Sequence, residues 1–207
     1  MRKQYHHGDL GRALVESGLN VLKQEGLEAL TLRRAAREAN VSASAPYRHF
    51  ADKQALLAAI AEEGFRELMD MLLETQKSFP EDLNRVAQTY IQFAMKEPET
   101  YRLMFTKNLN GETVSRAEPQ NEDLDALKVL NETIERGIQN GQIETGSAGD
   151  LAIAVWSMIH GFALLIIDGV LPKESSTELN LLKVLGLTKN QFQNSWDLGP
   201  QVNSKVS

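Results

Sequence analysis

Apolar residues recur at helical spacing along almost the whole chain, and no segment alternates convincingly with a period of two. Leu10, Leu14, Val21 and Leu22 keep that spacing until Gly26, a residue suited to closing a helix. Thr31 is placed to cap a second, short helix from Leu32 to Ala39, with Leu30 and Ala35 spaced as a hydrophobic staple. Asn40-Val41 breaks that helix, and Ser42 is placed to cap a third, running to about His49 or Phe50. Asp52 caps a fourth and much longer one, whose stripe is Leu56, Leu57, Ile60, Phe65, Leu68, Met69, Leu72 and Leu73.

Pro80 ends the long helix, and Glu81-Asp82 start a fifth that reaches about Glu97. Pro98 suits the start of a sixth, Glu99 to Thr106, before a loop over 107–120. A seventh runs from Asn121 to Asn140 and is closed by Gly141, and an eighth from a cap at Asp150 to Asp168. Weaker helical pattern fills 176–196. The fold class is therefore all-α with about nine helices. Residues 1–53 make a three-helix head, 54–196 a helical bundle body, and 197–207 a flexible tail.

The net charge of −6 divides unevenly. Residues 1–58 carry nine Lys/Arg against six Asp/Glu, and the remainder carries thirteen against twenty-two. A basic head on an acidic body fits phosphate contact by the head alone, although ordinary scatter of surface charge gives the same division. Cysteine is absent, which removes disulfides, thiolate nucleophiles and cysteine zinc sites. No Gly-rich phosphate loop, Ser-His-Asp set or paired-carboxylate constellation marks an enzyme, and no cofactor is implied. The N-terminus has no apolar run, so a cytoplasmic protein is expected. His6-His7 has no further ligands nearby to complete a metal site.

The segment 31–50 has the parts of a helix-turn-helix. Ala35, Ala36 and Ala39 are small residues for a close helix crossing, Asn40 tolerates a left-handed turn, and Val41 suits a buried pin. This run resembles the head of the TetR family of bacterial repressors, through Leu30-Thr31, the Ala-rich helix, Asn40-Val41-Ser42, Tyr47-Arg48-His49-Phe50 and Lys53. Asn40 stands where the family usually has Gly, and Pro46 lies inside the recognition helix. The resemblance implies that Ser42, Ala43, Ser44 and Pro46 face bases, and that Thr31, Arg33, Tyr47, His49 and Lys53 hold phosphates of a double-stranded operator. Arg2 and Lys3 would form an arm. Read from the residues alone, Tyr47 and Phe50 also fit core positions, and Arg33, Arg34 and Arg37 also fit a solvated face.

Residues 151–167 contain no charge, so the helix that carries them needs cover on every side. Its length reaches only the lower limit of a membrane span and it lacks basic anchors, which makes a subunit partner the expected cover and a homodimer the expected assembly. Trp156, His160 and Gly161 share a side and resemble the Trp-His-Gly effector-domain type found on a subset of the same family. The Met- and aromatic-rich positions of the body, with few charged residues among them, point to a small, largely apolar or aromatic inducer. Phe65, Met69, Tyr90, Phe93, Tyr101, Met104, Phe105, Trp156 and His160 are the candidate pocket residues, with plain core packing as the competing role for each.

Overall fold

A computed structural model describes residues 10–106, 126–143 and 147–177. Those residues form seven α-helices, Leu10–Glu25 (α1), Leu32–Glu38 (α2), Lys53–Ser78 (α3), Leu83–Lys96 (α4), Pro98–Met104 (α5), Ala126–Gln139 (α6) and Ala148–Ile167 (α7), with 3-10 turns at Ala45–Arg48 and Lys173–Thr177. There is no strand among the described residues. The expected all-α class holds, while the count of about nine helices does not. One expected helix is a 3-10 turn, and the segment 176–196 lies almost wholly outside the described residues, as do the 107–120 loop and the 197–207 tail.

The helix ends follow from their capping residues. Thr31 accepts from the Arg34 amide at 3.0 Å and Asp52 from the Ala55 amide at 2.9 Å. Asp82 does the same for Arg85 at 3.0 Å. Gly26 closes α1 with φ of 82°, where a side chain would be strained. α7 departs from expectation at its start. Ser147 accepts from the Asp150 amide at 3.3 Å, so the cap lies three residues earlier and Asp150 sits in the first turn, where its charge complements the helix dipole.

Asn40 is in the left-handed region, with φ of 56°, as the turn after α2 requires. Asn40→Gly is expected to change stability by less than about 0.5 kcal/mol, whereas Asn40→Val costs about 1–2 kcal/mol. Urea unfolding of the two variants measures the difference, and equal stabilities would remove the conformational argument.

α3 is the spine. It starts against α1 in the head and packs along α4, α5 and α6 in the body. Leu56 and Ile60 are fully buried near its start, and Leu68 and Leu72 further along, so one helix contributes to the core of both units. Buried polar ties fix its rotation: Gln76 Nε2 donates to Val129 O at 3.1 Å and to Thr133 Oγ1 at 3.2 Å on α6, and the Thr75 and Thr89 hydroxyls lie 2.9 Å apart.

α7 packs on α4 and α6 through Ala152, Val155, Ile159, Ala163 and Ile166. The expectation that it is covered on every side is not met within one chain. Ile153 is 55% exposed and Leu165 43% exposed. The helix is long and apolar enough to cross a membrane, with a mean hydropathy of 1.9, and only 28% of that stretch is buried. The described residues of one chain leave this side of α7 open.

Candidate nucleic-acid interface and effector cluster

The head is a compact unit held by α1, α2 and the start of α3. Leu30, Ala35 and Ala36 are fully buried, so the staple pair and the small-residue face sit where the helix crossing needs them. Val41 is half-buried, and its amide donates to Ala36 O at 3.0 Å across the turn.

The expected third helix is not α-helical. Only Ala45–Arg48 winds, as a 3-10 turn with Pro46 in its first positions. Pro46 has no N–H for a ladder and disfavours the α conformation at Ala45, which accounts for the short, tight form. Ser44 makes no capping bond to the backbone, and its hydroxyl instead lies 3.3 Å from that of Ser42. Ser42, Ala43 and Ser44 are all exposed at the tip. Pro46, expected beside them, is buried, because the turn folds its ring inward.

Around that tip the phosphate candidates divide. Thr31, Arg33 and His49 are exposed, and Tyr47 is 54% exposed, which places it on the surface and not in the core; Arg37, outside that set, is exposed as well. Phe50 packs partly buried against the core. Arg34 is committed within the head: its guanidinium donates to Glu38 Oε2 at 2.9 Å and to both Glu25 oxygens. That contact lowers the Glu25 carboxyl below its usual range. Lys53 Nζ donates to Leu27 O at 3.0 Å, which leaves two of its three protons for another acceptor.

In the body, rings from α3, α5 and α7 converge with α4. Phe105 is the hub. Its centroid lies 5.5 Å from Phe65, 5.0 Å from Tyr101, 6.5 Å from Trp156 and 4.5 Å from His160, the first and last edge-on. Tyr101 Oη and Tyr90 Oη lie 2.7 and 3.1 Å from His160 Nδ1, and Tyr101 Oη donates to Tyr90 Oη at 3.2 Å.

Burial raises Tyr90 to about 12 and Tyr101 beyond the ordinary phenol range, so both stay protonated. The same loss of solvent lowers His160 and keeps it neutral. Of the candidate pocket residues, Phe65, Tyr90, Tyr101, Phe105, Trp156 and His160 form this one cluster. Met69, Phe93 and Met104 are buried core. Phe65, Phe105, Trp156 and His160 keep some exposure, so the cluster has a surface side.

The depressed His160 pKa has a defined consequence. An unfolded chain takes up the imidazole proton near its ordinary value of 6.5 while the folded chain resists it. The contribution is therefore present above that pH and is lost as pH falls toward the folded value. Stability measured by urea is expected to fall from pH 7.5 to pH 5 more steeply for the wild type than for His160→Gln. Parallel curves would show that His160 is not the group responsible.

Sequence reasoning missed three contacts. Arg102 on α5 donates to Ile167 O at 2.9 Å and Asp168 Oδ1 at 2.6 Å, tying α5 to the end of α7. Gly64 on α3 lets α5 approach so closely that a Cβ there would lie 2.7 Å from Thr100 Cγ2 and 2.9 Å from Met104 Sδ. Lys23 on α1 pairs with Glu97 at 2.6 Å. None of these pairs is near in sequence, so only the fold brings them together.

Residues 14–60 match the profile of bacterial regulatory proteins of the tetR family, and residues 83–182 match the tetracyclin repressor-like C-terminal domain. The chain is 27% identical over 188 residues to the HTH-type transcriptional repressor AcnR of Corynebacterium glutamicum, covering 85% of this chain and 88% of that one. It is 24% identical over 167 residues to YobS of Bacillus subtilis, an uncharacterized HTH-type transcriptional regulator, covering 79% and 82%. Among solved structures, a Rhodococcus protein of unknown function aligns with a TM-score of 0.71 at 28% identity, over 91% of this chain and all of that one. A regulator of the TetR family from Pectobacterium atrosepticum aligns with a TM-score of 0.68 at 20% identity, over 91% and 98%.

Proposed function

Because the chain belongs to the TetR family of DNA-binding bacterial transcriptional regulators, we propose that it is a cytoplasmic repressor that binds a pseudo-palindromic operator as a homodimer and is released by a small, largely apolar ligand. The observation that carries the DNA part is the tip of the head. Ser42, Ala43 and Ser44 are exposed there, and the exposed Thr31, Arg33, Tyr47 and His49, with the half-buried Lys53, serve in this reading as the phosphate partners. Two hydroxyls and a methyl group read base edges, and the surrounding groups fix register without reading sequence. The name of the Corynebacterium relative supports repression over activation.

Two heads on a two-fold axis read half-sites about one helical turn apart or a little more. The uncovered face of α7 supplies the partner surface. The half-exposed ring cluster around His160 supplies the ligand end, with Tyr101 or His160 as the polar contact.

Fluorescence anisotropy with duplexes from the region upstream of the chain's own gene tests this reading. Wild type is expected to protect a two-fold site, and failure to prefer any such duplex over random DNA would overturn it. Lys53→Ala is expected to weaken all sequences alike and to reduce the salt slope by about one. Ser44→Ala is expected to change base preference instead. If Lys53→Ala altered only the preferred sequence, the division between reading and positioning would be wrong.

A further inference from the structure

Head and body are joined covalently by α3, and a second link crosses the gap between α1 and the α4–α5 corner. Lys23, in the last turn of α1, places its ammonium 2.6 Å from Glu97 Oε2. The Glu97 side chain is 9% exposed and that of Lys23 is 37% exposed, so the pair is sheltered on the carboxylate side. Lys96, beside it in sequence, is turned to Glu67 on α3 at 2.8 Å and feels Glu97 only at a distance. Lys23 is thus the short-range cation on Glu97.

Glu97 occupies a special place in the backbone. Its amide donates to Phe93 O at 2.9 Å and closes α4, while its carbonyl accepts from the Tyr101 amide at 2.8 Å and opens α5. Pro98 follows, so the corner is stiff on its α5 side. Tyr101, one helical turn along, carries the hydroxyl 2.7 Å from His160 Nδ1. Next to it, Arg102 grips the end of α7. α5 is therefore tied to the head at its start through Glu97, and to α7 through Tyr101 and Arg102. Its contact with α3 is close at Gly64, and the buried Thr100 Oγ1 makes no hydrogen bond. A short helix tied in this way to the head and to α7 carries a displacement at Tyr101 to Glu97 as a body.

We infer that the Lys23–Glu97 ion pair positions the DNA-binding head, and that displacement at the Tyr101–His160 contact reaches the head through it. A sheltered ion pair is a poor source of stability, since apolar replacement is often neutral. What it supplies is a preferred distance, because attraction in a low-dielectric setting falls steeply when the partners separate. Lys23 and Glu97 touch neither DNA nor ligand in this scheme and act by position. The inference rests on the DNA-binding role proposed for the head.

Head angle can be read without DNA. The chain has no cysteine, so Arg37→Cys on α2 and Gln139→Cys on α6, both exposed, carry two nitroxides in an otherwise unlabelled protein. Electron double resonance on this chain, diluted into unlabelled chain, gives the head-to-body distance. Lys23→Glu and Glu97→Lys are each expected to shift or broaden that distance and to weaken binding to the upstream duplex roughly 5- to 150-fold. The double exchange is expected to restore both. Tyr101→Phe should move the distance in the intact pair and not in Glu97→Gln.

Lys23→Met and Glu97→Gln serve if the reversals fail to fold, with circular dichroism as the control. Unchanged distances in folded single variants, or a double exchange that leaves the head displaced, would overturn the inference. If the distances respond as expected but wild type binds no DNA, the proposed function fails and the positioning pair stands.

Discussion

Ile153→Glu is expected to yield a folded monomer that has lost cooperative operator binding, with affinity for the full palindrome lower by ~100-fold or more. The physical reason is the exposed side of α7. Ile153 and Leu165 lie on solvent in one chain, and the helix that carries them has no charge from 151 to 167. A two-fold interface built on this face meets every residue twice, so one substitution buries two unpaired carboxylates. Each costs several kcal/mol when desolvated without a partner, and every 1.4 kcal/mol is about tenfold in the dimer constant. Ile167 is a poorer choice. It is half-buried on the core of its own chain, and its carbonyl holds Arg102, so a charge there disturbs α5 as well. Sedimentation at micromolar concentration reads the result. A wild-type monomer that still binds a palindrome cooperatively, or an Ile153→Glu chain that stays dimeric, would remove α7 as the interface.

The parts of this molecule that were legible in the sequence are those set by near neighbours. Thr31, Asp52 and Asp82 cap because a short oxygen side chain reaches an amide three residues on, which spacing alone reveals. Asn40 takes the left-handed turn for a reason local to its own backbone. The failures have local causes too, but competing ones. Ser147 and Asp150 both suit a helix start, and spacing cannot choose between them. At the recognition turn, Pro46 overrode the helical pattern of its neighbours and drew its own ring inward. The aromatic residues of the ring cluster were identifiable as apolar, yet their grouping around Phe105 depends on where α3, α5 and α7 come together. Lys23 and Glu97 are seventy-four residues apart by their numbers, and each looks like ordinary surface charge until the fold pairs them.

Trp156→Ala is expected to lower the free energy of unfolding by about 2–4 kcal/mol and to leave a cavity that indole fills. Trp156 lies 5.7 Å from His160 and 6.5 Å from Phe105, centroid to centroid, at the partly exposed side of the cluster. Its removal takes away an aromatic face without deleting the Tyr101–His160 hydrogen bond. Indole restores the lost contacts, and at ten times its dissociation constant it returns about 1.4 kcal/mol to the folded state. Thermal melting with and without indole measures that return. The decisive reading is then taken with DNA. If the cluster is the effector end of the molecule, filling it changes the placement of α5, and operator affinity differs between empty and indole-filled Trp156→Ala. Linkage requires the operator to change indole affinity by the same factor, so titrating indole into the free and DNA-bound variant provides an independent value. Indole that stabilises the variant yet leaves DNA affinity and the reciprocal titration unchanged would make these rings plain core, and ligand-controlled release would have to be located elsewhere or abandoned.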